Sequence, residues 1–208
     1  SDEQVMSLSN EQYQSYMKTA KPSTNAANTA MVRRVGERLA NAVETYLRQH
    51  NLASEVSNYK WEFNLVQDKQ ANAFCMPGGK IVVYEGLLPY TQNEASLAVV
   101  LGHEIAHAVA KHSAERMSQQ MKAQYGAQAL SLILGGSSSA TQEIAQQVYG
   151  LGAQYGVMLP YSRNNESEAD YMGLIFAAMA GYDPNVAVSF WQRMSQAGSG
   201  TPEFMSDH

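Results

Sequence analysis

The sequence has a single cysteine, Cys75, so no disulfide can form within the chain and cysteine usage says nothing about its compartment. It has no run of lysines or arginines, and its formal net charge is −5 over 208 residues. That balance excludes an electrostatic footprint for nucleic acid or for an anionic membrane surface. Nor does it contain the roughly 18 to 20 consecutive apolar residues that span a bilayer. The longest apolar stretches, near Leu97–Leu101 and Ala129–Leu134, are short and interrupted. Charged residues make up 16% of the chain and hydrophobic ones 45%, a globular balance that excludes large-scale disorder. At this length one substantial domain over 1–208 is expected. The opening "SDEQVMSLS" carries no initiator Met, which leads us to expect a processed form, in which a removed signal segment would leave no trace.

What is present is ordered by period. After a polar N-terminal arm, 1–24, the apolar residues Met31, Val35, Leu39, Val43 and Leu47 recur every four positions, with Asn25 or Asn28 available as a cap. A long amphipathic helix is expected there. "YKWEFNLVQD" alternates Trp61, Phe63 and Leu65 with polar residues, as a half-buried strand does. A short extended piece, a Pro-Gly-Gly turn at 77–79 and a β-branched strand from Lys80 to Tyr84 follow, giving two or three antiparallel strands. From Thr91 or Asn93 the period is helical again to about Lys111. The segment 113–160 reads as a helical hairpin insert around a flexible "GGSSSA" loop at 135–140. Two further helices are expected, one ending by Gly181 and one starting with Asp183 as cap and Pro184 at its first position. The fold class is α+β, mostly α, with a small antiparallel sheet beside a helical body.

Three of the five histidines fall within ten positions of "VVLGHEIAHAVAKH", residues 99–112. On a helix, residues four apart share a face, so His103 and His107 can direct both imidazoles at one point. Glu104 sits beside that point without being obliged to ligate. There it can take a proton from a metal-bound water, whose pKa zinc lowers toward about 7. A catalytic zinc needs a third protein ligand. In "NNESEADYMG", Glu166 and Asp170 are four apart, whereas Glu168 lies about 200° around the helix from Glu166. Spacing therefore selects Glu166 as the third ligand. Asp170, one turn on, is placed to accept the free ring N–H of His103. By the same step His112 falls about 140° off the clamp face and reads as a surface or packing residue. His50 has no expected chemistry, and Cys75 reads as a buried small hydrophobe.

HEIAH at 103–107, ESEAD at 166–170 and the upstream "NAFCMPGGKIVVYEGLL" at 72–88 resemble the zinc metalloendopeptidase family of HtpX and the CAAX prenyl proteases, and among them its soluble bacterial envelope members such as BepA and LoiP. The resemblance implies a gluzincin-type core with one Zn2+ per chain held by His103, His107 and Glu166, and Glu104 as general base. It also implies that His208, in the terminal "SDH", can approach the metal, where it would act as a latch on a resting enzyme. A bacterial periplasm or cell-envelope location, with a lipid anchor on a missing N-terminal segment, follows from the resemblance alone.

Substrate is expected to pair as an added strand with Lys80–Tyr84 or with the neighbouring Asn72–Phe74, which makes Asn72, Ala73, Phe74, Ile81 and Val82 the candidate substrate-binding residues. Backbone pairing makes little demand on sequence, so the expected partners are unfolded or envelope proteins. A donor to the oxyanion is required as well. Arg163, Tyr161 and Asn165 precede or open the ligand helix, and Arg163 is the candidate we carry forward. The competing reading is a zinc-containing chaperone or binding module with little turnover, against which an intact Glu104 argues.

Overall fold

The computed structural model describes residues 2–119 and 161–196. Helix α1 (Asp2–Thr19) leads into α2 (Ala26–Gln49), then strands β1 (Glu62–Val66), β2 (Ala73–Met76) and β3 (Lys80–Tyr84). A single turn, α3 (Leu88–Thr91), precedes α4 (Glu94–Val109), and α5 (Arg163–Met179) and α6 (Val186–Ser195) close the described chain. The expected hairpin loop at 135–140, and all of the insert from 120 to 160, lie outside the described residues.

Side-chain caps open α2, α4 and α5. The Asn25 side chain accepts the Asn28 amide at 2.9 Å to open α2, and Asn93 accepts the Ser96 amide at 2.8 Å to open α4. The four-step row of α2, Val35, Leu39, Val43 and Leu47, is fully buried as its spacing requires. At the last helix the expected cap is displaced. Asp183 accepts the Asn185 amide at 2.9 Å in a local turn, and α6 begins only at Val186. The N-terminal arm is a helix in its own right, not a polar tail.

The sheet is mixed rather than antiparallel, in the order β1-β3-β2. β2 and β3 form the expected hairpin, whose tight turn needs positive φ at Gly78 and Gly79. Two successive reversals leave β3 parallel to β1, and β3 inserts between the other two strands. Alternation then divides the side chains between two layers. Leu65, Ala73, Cys75, Ile81 and Val83 join the main core with α2, α4 and α5, while Val66, Met76, Val82 and Tyr84 pack beneath Tyr13 and Tyr16 of α1.

α4 runs through the centre, with every residue from Ser96 to Val109 buried. It packs on β2, α2, α5 and α6. Its closest approach is to α5, where Gly102 meets Gly173 backbone to backbone. A Cβ on Gly173 would stand 2.8 Å from the N and Cα of His103. No helix among the described residues is long and apolar enough to cross a membrane.

Candidate metal centre

α4 and α5 bring His103, His107 and Glu166 to one point. His103 Nε2 lies 3.2 Å from His107 Nε2. The Glu166 carboxylate straddles them, with Oε2 3.0 Å from His103 Nε2 and Oε1 3.1 Å from His107 Nε2. Around a tetrahedral zinc with bonds near 2.0–2.1 Å, neighbouring donors stand about 3.3 Å apart. The three observed separations, two of them to different oxygens of Glu166, are close to that edge length, and one donor from each residue lies within 4.8 Å of the other two. His103 is 2% exposed and His107 is fully buried. Lone pairs facing one another at that depth repel unless a proton or a metal cation lies among them, and two imidazoles with a carboxylate suit a borderline divalent metal. The donor set thus fits the metal that its sequence spacing implied.

The surroundings hold each group in place. Asp170 Oδ1 is 2.8 Å from His103 Nδ1, as the one-turn spacing from Glu166 requires. Trp191 of α6 sets its ring against His103 at 5.7 Å between centroids. Tyr161 lies flat on His107, with centroids 3.7 Å apart and planes 9° from parallel, and Arg116 covers the other face of the tyrosine at 3.8 Å. The Tyr161 hydroxyl is 3.1 Å from Ser113 Oγ. Glu104 is buried beside the ligands. Burial pushes the Cys75 thiol well above its ordinary pKa and the Glu104 carboxylate adds to the shift, so Cys75 is an inert thiol beneath the site.

The remaining candidates divide. Arg163 is exposed in the first turn of α5, and Asn165 donates its amide to Ser162 Oγ at 3.1 Å. His208 lies outside the described residues. Of the two strands expected to meet substrate, β3 is central: Ile81 and Val82 are fully buried and paired on both sides, so neither can bind an added strand. Asn72, Ala73 and Phe74 belong to the opposite case, since β2 is at the edge of the sheet and packs on α4.

Two residues were missed. His112, read as a surface or packing residue, is 4% exposed, and its Nδ1 is 3.0 Å from His107 Nδ1. Glu168, directed away from the metal-facing set as expected, lies with Oε2 3.2 Å from His112 Nε2. The cause is the end of α4. The helix stops at Val109, Lys111 takes φ +66°, and the chain resumes as helix at 112–119, so the 100° step no longer applies at His112.

A small mixed sheet against a helix carrying two convergent histidines, with a carboxylate supplied by a second helix, defines a gluzincin-type metallopeptidase domain. The chain belongs to peptidase family M48, whose profile matches residues 26–208. It is 39% identical over 155 residues to mitochondrial metalloendopeptidase OMA1 of Schizosaccharomyces pombe, covering 74% of this chain and 44% of that protein. It is 33% identical over 151 residues to a putative beta-barrel assembly-enhancing protease of Vibrio cholerae, covering 70% of this chain and 31% of that protein. The match to the human mitochondrial metalloendopeptidase OMA1 is 30% over 213 residues and takes in 99% of this chain, though only 40% of the relative. The chain thus spans less than half the length of these relatives.

Proposed function

We propose that the protein is a zinc-dependent metalloendopeptidase, with one zinc ion per chain, that hydrolyses peptide bonds in unfolded or misfolded polypeptides. The observation that carries this reading is the convergence of the His103 and His107 Nε2 atoms, 3.2 Å apart, with the Glu166 carboxylate straddling them, and the buried Glu104 next to His103 on the same helix. His103, His107 and Glu166 are the ligands. A zinc ion held there polarises a scissile carbonyl and lowers the pKa of water toward neutrality. Glu104 takes the proton from the attacking water and passes it to the leaving amine, a double role that suits a carboxylate screened from solvent. Asp170 holds His103 in the tautomer that turns Nε2 inward.

The position of β2 at the edge of the sheet, packed on α4, supports binding of extended substrate along Asn72–Phe74, where an added strand would run alongside α4. Arg163 is our candidate donor to the oxyanion, reached when α5 and substrate close on each other. His208 is our candidate latch at the fourth metal position, and H208A then raises peptidase activity. The beta-barrel assembly-enhancing proteases among the relatives support a role in protein quality control in a bacterial envelope, while the mitochondrial relatives support the same chemistry in another compartment.

The test is cleavage of unfolded casein by the zinc-loaded chain beside Glu104→Gln, with metal content measured in both. General-base loss should lower turnover by about 10²- to 10⁴-fold while zinc stays bound. Equal cleavage by both proteins sinks the role given to Glu104. Zinc binding without cleavage by either points to a latched enzyme or a binding module, and H208A decides which.

A further inference from the structure

His107 has two ring nitrogens, and only Nε2 faces Glu166. Its Nδ1 is met by a second imidazole, an arrangement unlike that at His103, where a carboxylate takes Nδ1 directly. We infer that His112 and Glu168 form a relay that fixes the tautomer and ring direction of His107, the positioning counterpart of Asp170 at His103. The inference rests on the zinc reading of the same site.

Proton counting gives the relay its direction. A neutral imidazole carries one N–H. With the Nε2 lone pair of His107 turned toward the metal position, its proton must sit on Nδ1 and point at His112 Nδ1, 3.0 Å away. His112 Nδ1 must then be the acceptor, so the His112 proton sits on Nε2 and donates to Glu168 Oε2 at 3.2 Å. Reversing either ring sets two N–H groups or two lone pairs against each other, with both imidazoles buried. The terminal carboxylate makes His112 a better acceptor, as a carboxylate does for other metal-bound histidines. Tyr161 completes the grip by stacking on the ring plane that the relay orients. Sequence distance hides the arrangement, because Glu168 reaches His112 from 56 positions away and from the other ligand helix.

The experiment compares wild type with H112A, E168A and E168Q as full chains, using three readouts. These are zinc affinity by chelator competition, the visible d–d spectrum of the Co(II)-loaded protein, and the His107 tautomer by ¹H–¹⁵N NMR of the metal-free form. Wild type should show His107 protonated on Nδ1. H112A should bind zinc about 10- to 100-fold more weakly, with a mixed His107 tautomer and an altered Co(II) spectrum. E168A should move the same readouts in the same direction by a smaller factor, while E168Q, which keeps an oxygen acceptor, should restore them. The Glu168 side chain is 53% exposed, so E168A reads the relay even if H112A does not fold. Unchanged affinity and tautomer in the folded variants, with only a lower melting temperature, would make His112 a packing residue and overturn the assignment. A wild type that binds no zinc would sink the zinc reading itself, a separable result.

Discussion

The Gly102–Gly173 contact sets how far apart the two ligand helices sit, and Gly173→Ala tests that directly. The added Cβ would stand 2.8 Å from His103 N and Cα, where ordinary contacts begin at 3.4 Å. Both neighbours are helical backbone in the middle of the core, so no side chain can swing aside. α5 must move from α4 by the difference, 0.6 Å. Glu166 travels with α5 and the histidines stay with α4, so the shift enters the ligand distances almost undiluted. Metal sites tolerate about ±0.2 Å in those distances. We expect overpacking to cost about 1–3 kcal/mol of stability in the metal-free protein. Zinc affinity should fall by at least about tenfold, equivalent to 1.4 kcal/mol. Urea unfolding of the metal-free protein and chelator competition on the loaded one measure the two effects separately. Wild-type values in both would show that the helices are not held apart by this contact, and the reasoning would fail.

Chelation should lower the melting temperature of the wild type, since three donors from two helices lose their common cation; an unchanged melting curve in EDTA would argue against a metal at the site. Tyr161→Phe keeps the stack on His107 and removes the hydroxyl that bonds Ser113, so zinc affinity should hold, whereas Tyr161→Ala should weaken it; chelator competition separates the two. The Arg34 guanidinium, bonded to Glu94, holds that carboxyl below its ordinary value of 4.5. Its contribution to stability is therefore present above the unfolded-state pKa and lost as pH falls through the lower folded value. Arg34→Ala should lower the melting temperature slightly at neutral pH and leave the acid end unchanged, which flattens the acid limb; the effect is small because the pair is partly exposed. Deleting residues 1–25 should uncover Val66, Val82 and Tyr84, read as binding of a hydrophobic dye and reduced solubility.

The convergence of His103, His107 and Glu166, with Asp170 beside His103, was legible because all four sit inside uninterrupted helices, where the 100° step converts spacing into direction. The same rule misplaced His112, because a lysine in the left-handed region carries no sequence signal of the kind a glycine gives. Strand existence was legible from alternation, but strand order was not. Nothing in "KIVVY" distinguishes an edge from a centre except its lack of polar residues beyond Lys80, and burial on both faces is what the structure finds there. The cap of α6 was misjudged by two residues because Asp183 serves equally well in an Asx turn.

The three strands act as a partition with different commitments on its two sides. Inward-facing residues help seat the helix that carries the histidines, while outward-facing ones weld on α1, where Ser9 Oγ donates to Pro77 O at 2.9 Å and Asn64 Nδ2 to the Tyr13 hydroxyl at 2.7 Å. The family profile begins at residue 26, beyond α1. The stretch that the family profile matches and the layer that α1 helps to close therefore have different boundaries. Because neighbouring residues of each strand face opposite ways, exchanging the leading segment for another of similar shape would act first on the outward-facing residues and not on those that seat the metal-bearing helix.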